Sequence, residues 1–314
     1  MTSAFVMRRA GLPPGASARA GLAIALGIAA VAVTVGAQAP PSSAAQAPGG
    51  RGGPASMTLP LANLGLEHLD IVVPDTAASA KFYMRIFKAP LHQQQVRDTL
   101  RYFIVLGDVP ADRQVGYVAI GAANGRPAAI GHYCVLAATY GAQAFSAALK
   151  AAGQPSAPTA AGPIGMWPDP DGLELQLFQP PAGLVTAAVP STLETQRDGF
   201  VVPRGVDHVM LQVASLEKSL PYYRALYGTA AERSRDKNGR VWFEFPKNTR
   251  IGLEQTTGQP AIAHYTIKVA PFDRAALTKR LAELGSAVML SPDEPDVLRF
   301  KDNYGITVEL KVTE

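Results

Sequence analysis

The chain contains two nearly identical pentapeptides, Ala129-Ile130-Gly131-His132-Tyr133 and Ala261-Ile262-Ala263-His264-Tyr265. Each opens a run of apolar, strand-forming residues, and a helical pattern follows each run. A recurrence at long period indicates duplicated structural units, and it has to be recognised before single elements are assigned. The two pentapeptides therefore predict that one arrangement of strands and helices occurs twice in this chain.

The recurrence extends over most of the chain. Three further pairs of segments occur in the same order: Gly65–Val73 with Gly205–Val213, Tyr83 with Tyr223, and Asp169–Leu177 with Asp302–Leu310. Four of the five histidines fall at repeated positions, and these are His68, His132, His208 and His264, whereas His92 does not. A duplication explains this placement, because four of five histidines would rarely coincide by chance.

The N-terminal residues have the features of an export signal. Three arginines precede an apolar run over residues 21–35, and small residues follow, with the favoured cleavage point near Ala37. A basic region, an apolar region and a small-residue site are typical of a secretory signal. We therefore expect a signal peptide over residues 1–39, a flexible tether over 40–61, and a periplasmic or secreted protein without membrane attachment after cleavage. An uncleaved membrane anchor is the alternative.

The charge distribution argues against a nucleic-acid partner. The whole chain carries a formal net charge of +4. Its first 56 residues hold four arginines and no acidic residue, so residues 57–314 are formally neutral. A nucleic-acid-binding domain usually presents a basic face. The expected partner is instead a small-molecule substrate, and the sequence does not determine the oligomeric state.

Length and patterning divide the remaining residues into two domains, 62–180 and 205–314, joined by a linker over 181–204 that lacks clear periodicity. The first domain has predicted strands at 66–73, 101–106, 114–120 and 173–178, the pentapeptide strand, and helices at 76–87 and 141–151. The second has strands at 206–213, 229–234, 240–245, 250–255, 263–269, 296–301 and 306–312, and helices at 216–227 and 272–284. This order predicts an α+β fold of tandem paired βαβββ modules, with one curved mixed sheet per domain that forms a cup.

Three side chains of the second domain have the chemistry of metal ligands. His208, His264 and Glu309 lie in three separate predicted strands. Two neutral imidazoles and a carboxylate suit a divalent cation and leave coordination positions open for a substrate. The spacing matches no local metal motif, so the prediction depends on the recurrence of the histidines and on strand alternation.

Alternation predicts which side chains share a face. Counting by twos gives the expected neighbours on one face: Val206, Met210 and Gln212 with His208, and Ile262 and Thr266 with His264. Glu254 ends the strand that precedes His264 and is a fourth candidate, as a metal ligand or as a catalytic base. Arg299 shares parity with Lys301 and is expected to be a charge on the outer face.

Together these features resemble the vicinal oxygen chelate superfamily, which includes glyoxalase I, extradiol dioxygenases and the bleomycin and fosfomycin resistance proteins. The resemblance covers residues 63–312 in two copies. Its residues are a histidine in the first strand, a histidine or glutamate in the fifth, and a glutamate four residues past the glycine of an Asp-Pro-Asp-Gly-like turn. His208, His264 and Glu309 match these positions, and Glu254 lies where glyoxalase I has an additional glutamate ligand. The resemblance implies a divalent metal ion such as Zn²⁺, Ni²⁺, Mn²⁺ or Fe²⁺.

The first domain departs from this pattern. Gln176 replaces the glutamate, and Gly121 lies in the region that corresponds to Glu254. His68, His132 and Gln176 would hold a cation without any formal negative charge, which predicts poor affinity. We therefore expect a structural first domain and a metal site in the second.

The resemblance leaves three functions open. Glu254 favours metal-dependent, glyoxalase- or isomerase-like lyase chemistry on a small molecule with vicinal oxygens, in which a carboxylate moves a proton. The two-domain layout is that of extradiol ring-cleavage dioxygenases, although residues 291–300 lack the acid–base histidine of their signature. A metal-free binding module, as in the resistance proteins, is the third function.

Overall fold

The computed structural model describes residues 57–96, 98–107, 116–160, 164–180, 188–290, 294 and 296–314. They belong to one structural unit, Gly52–Glu314. The predicted signal peptide and most of the predicted tether lie outside the described residues. Within the described part, every helix is too short or too polar to span a membrane.

The elements form two halves with the same order. The N-terminal half consists of β1 (Asn63–Val73), α1 (Thr76–Met84), β2 (Leu91–Val96), β3 (Thr99–Leu106), β4 (Gly116–Ala122), β5 (Ala129–Ala137), α2 (Ala142–Ala151), β6 (Ile164–Pro168), β7 (Glu174–Phe178) and β8 (Val189–Pro190). The C-terminal half consists of β9 (Pro203–Val213), α3 (Leu216–Tyr227), β10 (Glu232–Arg233), β11 (Val241–Phe245), β12 (Thr249–Gln255), β13 (Ala261–Val269), α4 (Arg274–Glu283), β14 (Val288–Leu290), β15 (Val297–Lys301) and β16 (Thr307–Val312).

Each half forms one mixed eight-stranded sheet. The strand order is β6-β7-β5-β1-β4-β3-β2-β8 in the N-terminal sheet and β10-β11-β12-β9-β13-β16-β15-β14 in the C-terminal sheet. The first strand of each half pairs parallel with the fourth and antiparallel with the pentapeptide strand, as β9 does with β12 and β13. Two strand–helix–strand modules thus meet at the β1–β5 and β9–β13 pairs, which confirms the predicted α+β fold. The domain boundaries themselves stay predictions.

A β-bulge interrupts the central β9–β13 pair next to the first histidine. Thr266 pairs with His208 and Ile267 pairs with Val206, so Asp207 is the extra residue. Val206 belongs to the buried apolar core, as does Ile267. The prediction that Val206 shares a face with His208 was therefore wrong, because alternation holds only where the ladder is regular.

A second bulge lies within the pentapeptide. Ile262 pairs with Leu211 and His264 pairs with Met210, which leaves Ala263 as the extra residue. Ile262 consequently packs in the core with Leu211, whereas His264 points to the opposite face with Met210. The β1–β5 pair has register shifts at the corresponding positions, so the bulges belong to the duplicated design.

Several segments expected outside regular structure contribute to the fold. Residues 57–61 were expected in the tether, but Leu61 is buried and its N–H donates to the carbonyl of Leu226 at 2.7 Å. Within the predicted linker, β8 pairs with β2 and Val201 is buried. His92 was expected in solvent and instead lies half-buried in β2. Single anchors and edge strands produce no periodic pattern, which is why the sequence did not show them.

The recurrent tyrosines connect the two halves reciprocally. Tyr83 of α1 donates to Asp302 of the C-terminal half at 2.8 Å, and Tyr223 of α3 donates to Asp169 of the N-terminal half at 2.6 Å. Both tyrosines are fully buried. Each half therefore supplies a hydroxyl to the closing turn of the other half.

The two aspartates also build the turns that they occupy. One carboxylate oxygen of Asp169 accepts the backbone N–H groups of Asp171 and Leu173 at 2.9 and 2.7 Å. Asp302 accepts those of Tyr304 and Ile306 at 2.8 and 2.9 Å. The second oxygen of each aspartate accepts the tyrosine hydroxyl, so turn geometry and contact between the halves depend on the same side chain.

We expect Tyr83→Phe and Tyr223→Phe each to lower the free energy of unfolding by about 1–3 kcal/mol, because each leaves a buried carboxylate oxygen without its donor. Chemical denaturation of the full chain measures this loss. Tyr222→Phe is the matched control, since the Tyr222 hydroxyl is buried without a hydrogen-bond partner among the described residues. An equal loss in Tyr222→Phe and Tyr223→Phe would contradict the assignment.

Candidate metal centre

The structure brings three of the four predicted ligands together. His208, His264 and Glu309 lie on the adjacent strands β9, β13 and β16, and all three are buried. Glu309 Oε2 is 3.7 Å from His208 Nε2 and 3.4 Å from His264 Nε2. One donor atom from each residue lies within 4.8 Å of the other two.

This donor set fits a divalent cation. Two ligand atoms that are each about 2.1 Å from one ion lie about 3–3.5 Å apart, depending on the coordination geometry. The measured separations of 3.4 and 3.7 Å are close to that range. Two imidazoles and one carboxylate also form the donor set of many catalytic sites that keep open positions. His208, His264 and Glu309 would therefore hold one ion after small shifts of their side chains.

His208 is oriented by its neighbour in sequence. Asp207 Oδ2 is 2.8 Å from His208 Nδ1, and the β-bulge brings these consecutive side chains to the same side. Burial favours the neutral form of Asp207, but the hydrogen bond to His208 and nearby cations outweigh it and lower its pKa. An ionised Asp207 keeps the proton of His208 on Nδ1, which leaves the lone pair of Nε2 directed toward Glu309.

Burial and charge set the protonation states of the other two ligands. Burial lowers the pKa of His264 to about 3, although Glu309 acts in the opposite direction. For Glu309, burial would raise the pKa, but His264, the hydrogen bond from Thr266 and Arg299 together lower it below its ordinary value. At neutral pH the site therefore presents a neutral imidazole and an ionised carboxylate, which are the forms that bind metal.

The sequence predicted Arg299 on an outer face, but the structure places it against Glu309. It is paired in register with Glu309 between β15 and β16, and its Nε donates to Glu309 Oε1 at 2.7 Å. Its Nη2 contacts the same oxygen. The parity count did not show this contact, because it depends on which strand lies next to β16.

Glu254 is separated from the ligand group. The parallel register of β9 and β12 pairs Arg250 with His208 and pairs Glu254 with Gln212. Four residues along a strand span about 13 Å, and Glu254 is absent from the group whose donor atoms converge. Its Oε1 instead accepts a hydrogen bond from Gln212 Nε2 at 2.7 Å. The prediction of Glu254 as a metal ligand thus fails on the strand register, which the sequence does not specify.

A cavity of about 460 Å³ is lined in part by residues 260–263, which directly precede His264 in the chain. One wall includes Gln212 and Thr307, and Thr307 is the cross-strand partner of His264. The facing wall comes from residues 128–131 and 172–174 of the N-terminal half. His208, His264, Glu309 and Glu254 are all described by the structure, and none of them is in the lining, so the cavity adjoins the ligand strands without containing the ligand group.

The N-terminal half uses its histidines differently. His68 Nε2 is 3.3 Å from His132 Nε2, so the two imidazoles contact each other. Glu67 Oε2 lies 2.8 Å from His68 Nδ1, and Asp70 Oδ2 lies 3.4 Å from His132 Nδ1. Asp70 is in turn paired with Arg101. The ring nitrogens of His68 and His132 are therefore engaged within the protein.

Glu67, His68 and Cys134 form the second group of possible metal ligands among the described residues. Burial raises the pKa of the Cys134 thiol, and it raises the pKa of Glu67 to about 8. Burial therefore disfavours the deprotonated forms of both groups, which are the forms that bind metal. Gln176 is also buried, and it supplies no charge. The donor chemistry thus favours the C-terminal site over this group.

Several solved protein structures are similar to this chain in fold. No protein-family model matches the chain, and no curated protein matches its sequence. A catechol 2,3-dioxygenase matches at a TM-score of 0.58 and 15% identity over 81% of this chain and 89% of the other. Homoprotocatechuate 2,3-dioxygenase from Brevibacterium fuscum matches at a TM-score of 0.56 and 15% identity over 82% of both chains. The Mn(II)-bound glyoxalase from Novosphingobium aromaticivorans matches at a TM-score of 0.56 and 17% identity over 80% of this chain and 83% of the other.

At this level of identity the solved structures show the fold alone. They are extradiol-type dioxygenases and a glyoxalase, which are the proteins that the duplicated sequence resembles. This chain therefore has the vicinal oxygen chelate fold, as predicted. Its chemistry has to be argued from its own side chains, because one fold supports many reactions.

We expect His264→Ala and Glu309→Gln to weaken binding of a divalent metal by more than the roughly 10- to 100-fold that the loss of an outer partner costs. Each removes a donor atom that points at the shared position. Metal content after loading with Mn²⁺, Fe²⁺, Zn²⁺ or Ni²⁺, followed by dialysis, measures the effect on the full chain. His132→Ala, at the equivalent position of the other half, is the control and should retain metal. Loss of metal in His132→Ala alone would contradict the assignment.

We also expect His132 to make stability depend on pH. Burial lowers its pKa to about 4, with Asp70 acting in the opposite direction. The unfolded chain binds a proton at His132 below about pH 6.5, whereas the folded chain does not, so stability falls as the pH falls through this window. Between pH 6.5 and 4.5 the loss from this residue is about 2–3 kcal/mol.

Denaturation of the metal-free wild type and of His132→Gln at several pH values isolates this contribution. The free energy of unfolding of the wild type should fall more steeply with acidification than that of the variant. Parallel curves for the two proteins would show that folding leaves the pKa of His132 unchanged, which would contradict this prediction.

Proposed function

We propose that this protein is an exported, divalent-metal-dependent enzyme that acts on a small molecule with vicinal oxygens. The observation that carries the proposal is the convergence of His208, His264 and Glu309 on one buried position, with Glu309 Oε2 within 3.7 Å of both imidazoles. The export signal inferred from residues 1–39 supports a periplasmic or secreted location.

A bound divalent ion would act as a Lewis acid that polarises two adjacent substrate oxygens. The protein's own contribution is positioning. The bulge at Asp207 fixes the ring of His208, the salt bridge to Arg299 fixes one oxygen of Glu309, and burial keeps water from competing at the ligands. Imidazole nitrogens suit Fe²⁺, Zn²⁺ and Ni²⁺ better than Mg²⁺ or Ca²⁺, and the carboxylate also suits Mn²⁺, so these four ions are the first to test.

Proton transfer can be assigned to Glu254. Its carboxylate is bonded to Gln212, which lines the same cavity as residues 260–263. A substrate that extends from the ion toward Gln212 would bring a carbon next to its polarised carbonyl within reach of Glu254, which could accept a proton from that carbon and return it to the neighbouring atom. This arrangement favours lyase or isomerase chemistry of the glyoxalase type, with Glu254 as the base and not as a ligand.

Ring cleavage by dioxygen is the second candidate. The separation of Glu254 from the ligand group leaves two histidines and one carboxylate, which is the donor set of non-haem iron oxygenases. Several of the similar structures are ring-cleaving dioxygenases. Against it, His208 and His264 are the only histidines of the C-terminal half, so no histidine there remains for acid–base catalysis.

Two assays on the full chain, loaded in turn with Fe²⁺, Mn²⁺, Zn²⁺ and Ni²⁺, separate these functions. Oxygen uptake with catechols tests ring cleavage, and carbonyl migration or proton exchange in α-hydroxycarbonyl compounds tests the favoured chemistry. We expect Glu254→Gln to lower the rate of proton exchange by about 100-fold or more, while metal content stays unchanged.

Glu244→Gln is the matched control, because Glu244 is an exposed carboxylate of the neighbouring strand β11. A chain that takes up none of the four metals would point instead to a metal-free binding module. Oxygen uptake that survives Glu254→Gln would favour ring cleavage over isomerisation.

A further inference from the structure

The two oxygens of Glu309 are held by different partners. Oε1 accepts from Arg299 Nε at 2.7 Å and contacts its Nη2. Oε2 accepts from Thr266 Oγ1 at 2.7 Å and faces the two histidine Nε2 atoms. The carboxylate therefore cannot rotate freely, and only Oε2 is directed at the position that the imidazoles share.

Thr266 lies at the centre of the site. It pairs in register with His208 across the antiparallel β9–β13 ladder and with Glu309 across the parallel β13–β16 ladder. Its side chain is fully buried, and its hydroxyl oxygen is 3.1 Å from His208 Nε2. The hydroxyl is thus within hydrogen-bond reach of two metal-ligating atoms at once.

The single hydroxyl hydrogen cannot satisfy both atoms. Asp207 holds the proton of His208 on Nδ1, so His208 Nε2 and Glu309 Oε2 both offer lone pairs to Thr266. If the lone pair of Nε2 is used by a cation, the hydroxyl hydrogen remains for Oε2 alone.

We propose that Thr266 is a positioning residue of the metal centre, which holds Glu309 in an orientation that presents one oxygen, Oε2, to the ion. This inference depends on the proposed metal-dependent function and extends it to a residue outside the predicted ligand set. Arg299 occupies Oε1 and Thr266 donates to Oε2, so Glu309 would present Oε2 alone to an ion. A second-sphere donor of this kind commonly contributes about 10- to 100-fold to metal affinity.

The N-terminal half provides an internal comparison. Cys134 pairs with Gln176 as Thr266 pairs with Glu309, so the two positions are equivalent. A thiol is a weak hydrogen-bond donor, and Gln176 offers no carboxylate for it to orient. The hydroxyl is present in the half that has the converging ligands and absent from the half in which the histidines contact each other.

Thr266→Val tests the proposal, because it keeps the shape of the side chain and removes the hydroxyl. We expect the dissociation constant for Mn²⁺, measured by calorimetry on the full chain, to rise about tenfold. Thr266→Ser keeps the hydroxyl and should remain within about threefold of the wild type. Thr266→Ala replaces Thr266→Val if the latter fails to fold, as judged by circular dichroism.

An infrared difference spectrum between the Mn²⁺-loaded and metal-free proteins supplies the second readout. The wild type should show the wide separation of carboxylate bands that a monodentate ligand gives, and Thr266→Val should shift these bands, because Oε2 loses its hydrogen bond while Oε1 stays paired with Arg299. Unchanged affinity in Thr266→Val overturns the inference, as does weakened affinity with unchanged bands or an equal loss in Thr266→Ser. A wild type that binds no metal refutes the proposed function itself, which is a separate outcome.

Discussion

The candidate site depends on the antiparallel pairing of β9 with β13 and on the two bulges within it. A regular ladder would send consecutive side chains to opposite faces, so Asp207 would point into the core and away from His208. The extra residue at Asp207 lets this carboxylate reach Nδ1 of its neighbour at 2.8 Å. The extra residue at Ala263 turns His264 to the same face as His208. Two bulges of one residue each thus place His208 and His264 on one face and orient the ring of His208.

The duplicated halves share this backbone device but differ in what fills it. In the N-terminal half His68 and His132 contact each other, and Asp70 and Arg101 continue the chain of polar contacts. In the C-terminal half the position of Asp70 is taken by Met210, which leaves His264 without a carboxylate on that side. Its lone pair and that of His208 are then directed at Glu309. One copy has two imidazoles that contact each other, and the other has donors that converge on a shared point.

The N-terminal half nevertheless supports the structure of the C-terminal half. The turn at Asp302 accepts the hydroxyl of Tyr83, and the same half supplies residues 128–131 as a wall of the cavity that residues 260–263 also line. A buried carboxylate that relies on a donor from the other half makes the two halves one cooperative structure. This contact gives a physical reason for a chain to retain a half with a poor set of metal donors.

The sequence by itself determined the duplication, the α+β fold, most of the central strands and the candidate residues His208, His264 and Glu309, because repeats and alternation can be seen without coordinates. It did not show the strands β2, β6, β8 and β14. It misplaced Glu254 and Arg299, and it gave no sign of Thr266 as more than a neighbour. Those three assignments depend on which strands are adjacent and in what register, and on bulges that reverse parity. Register and adjacency are fixed by long-range pairing and core packing, so only the tertiary structure decided them.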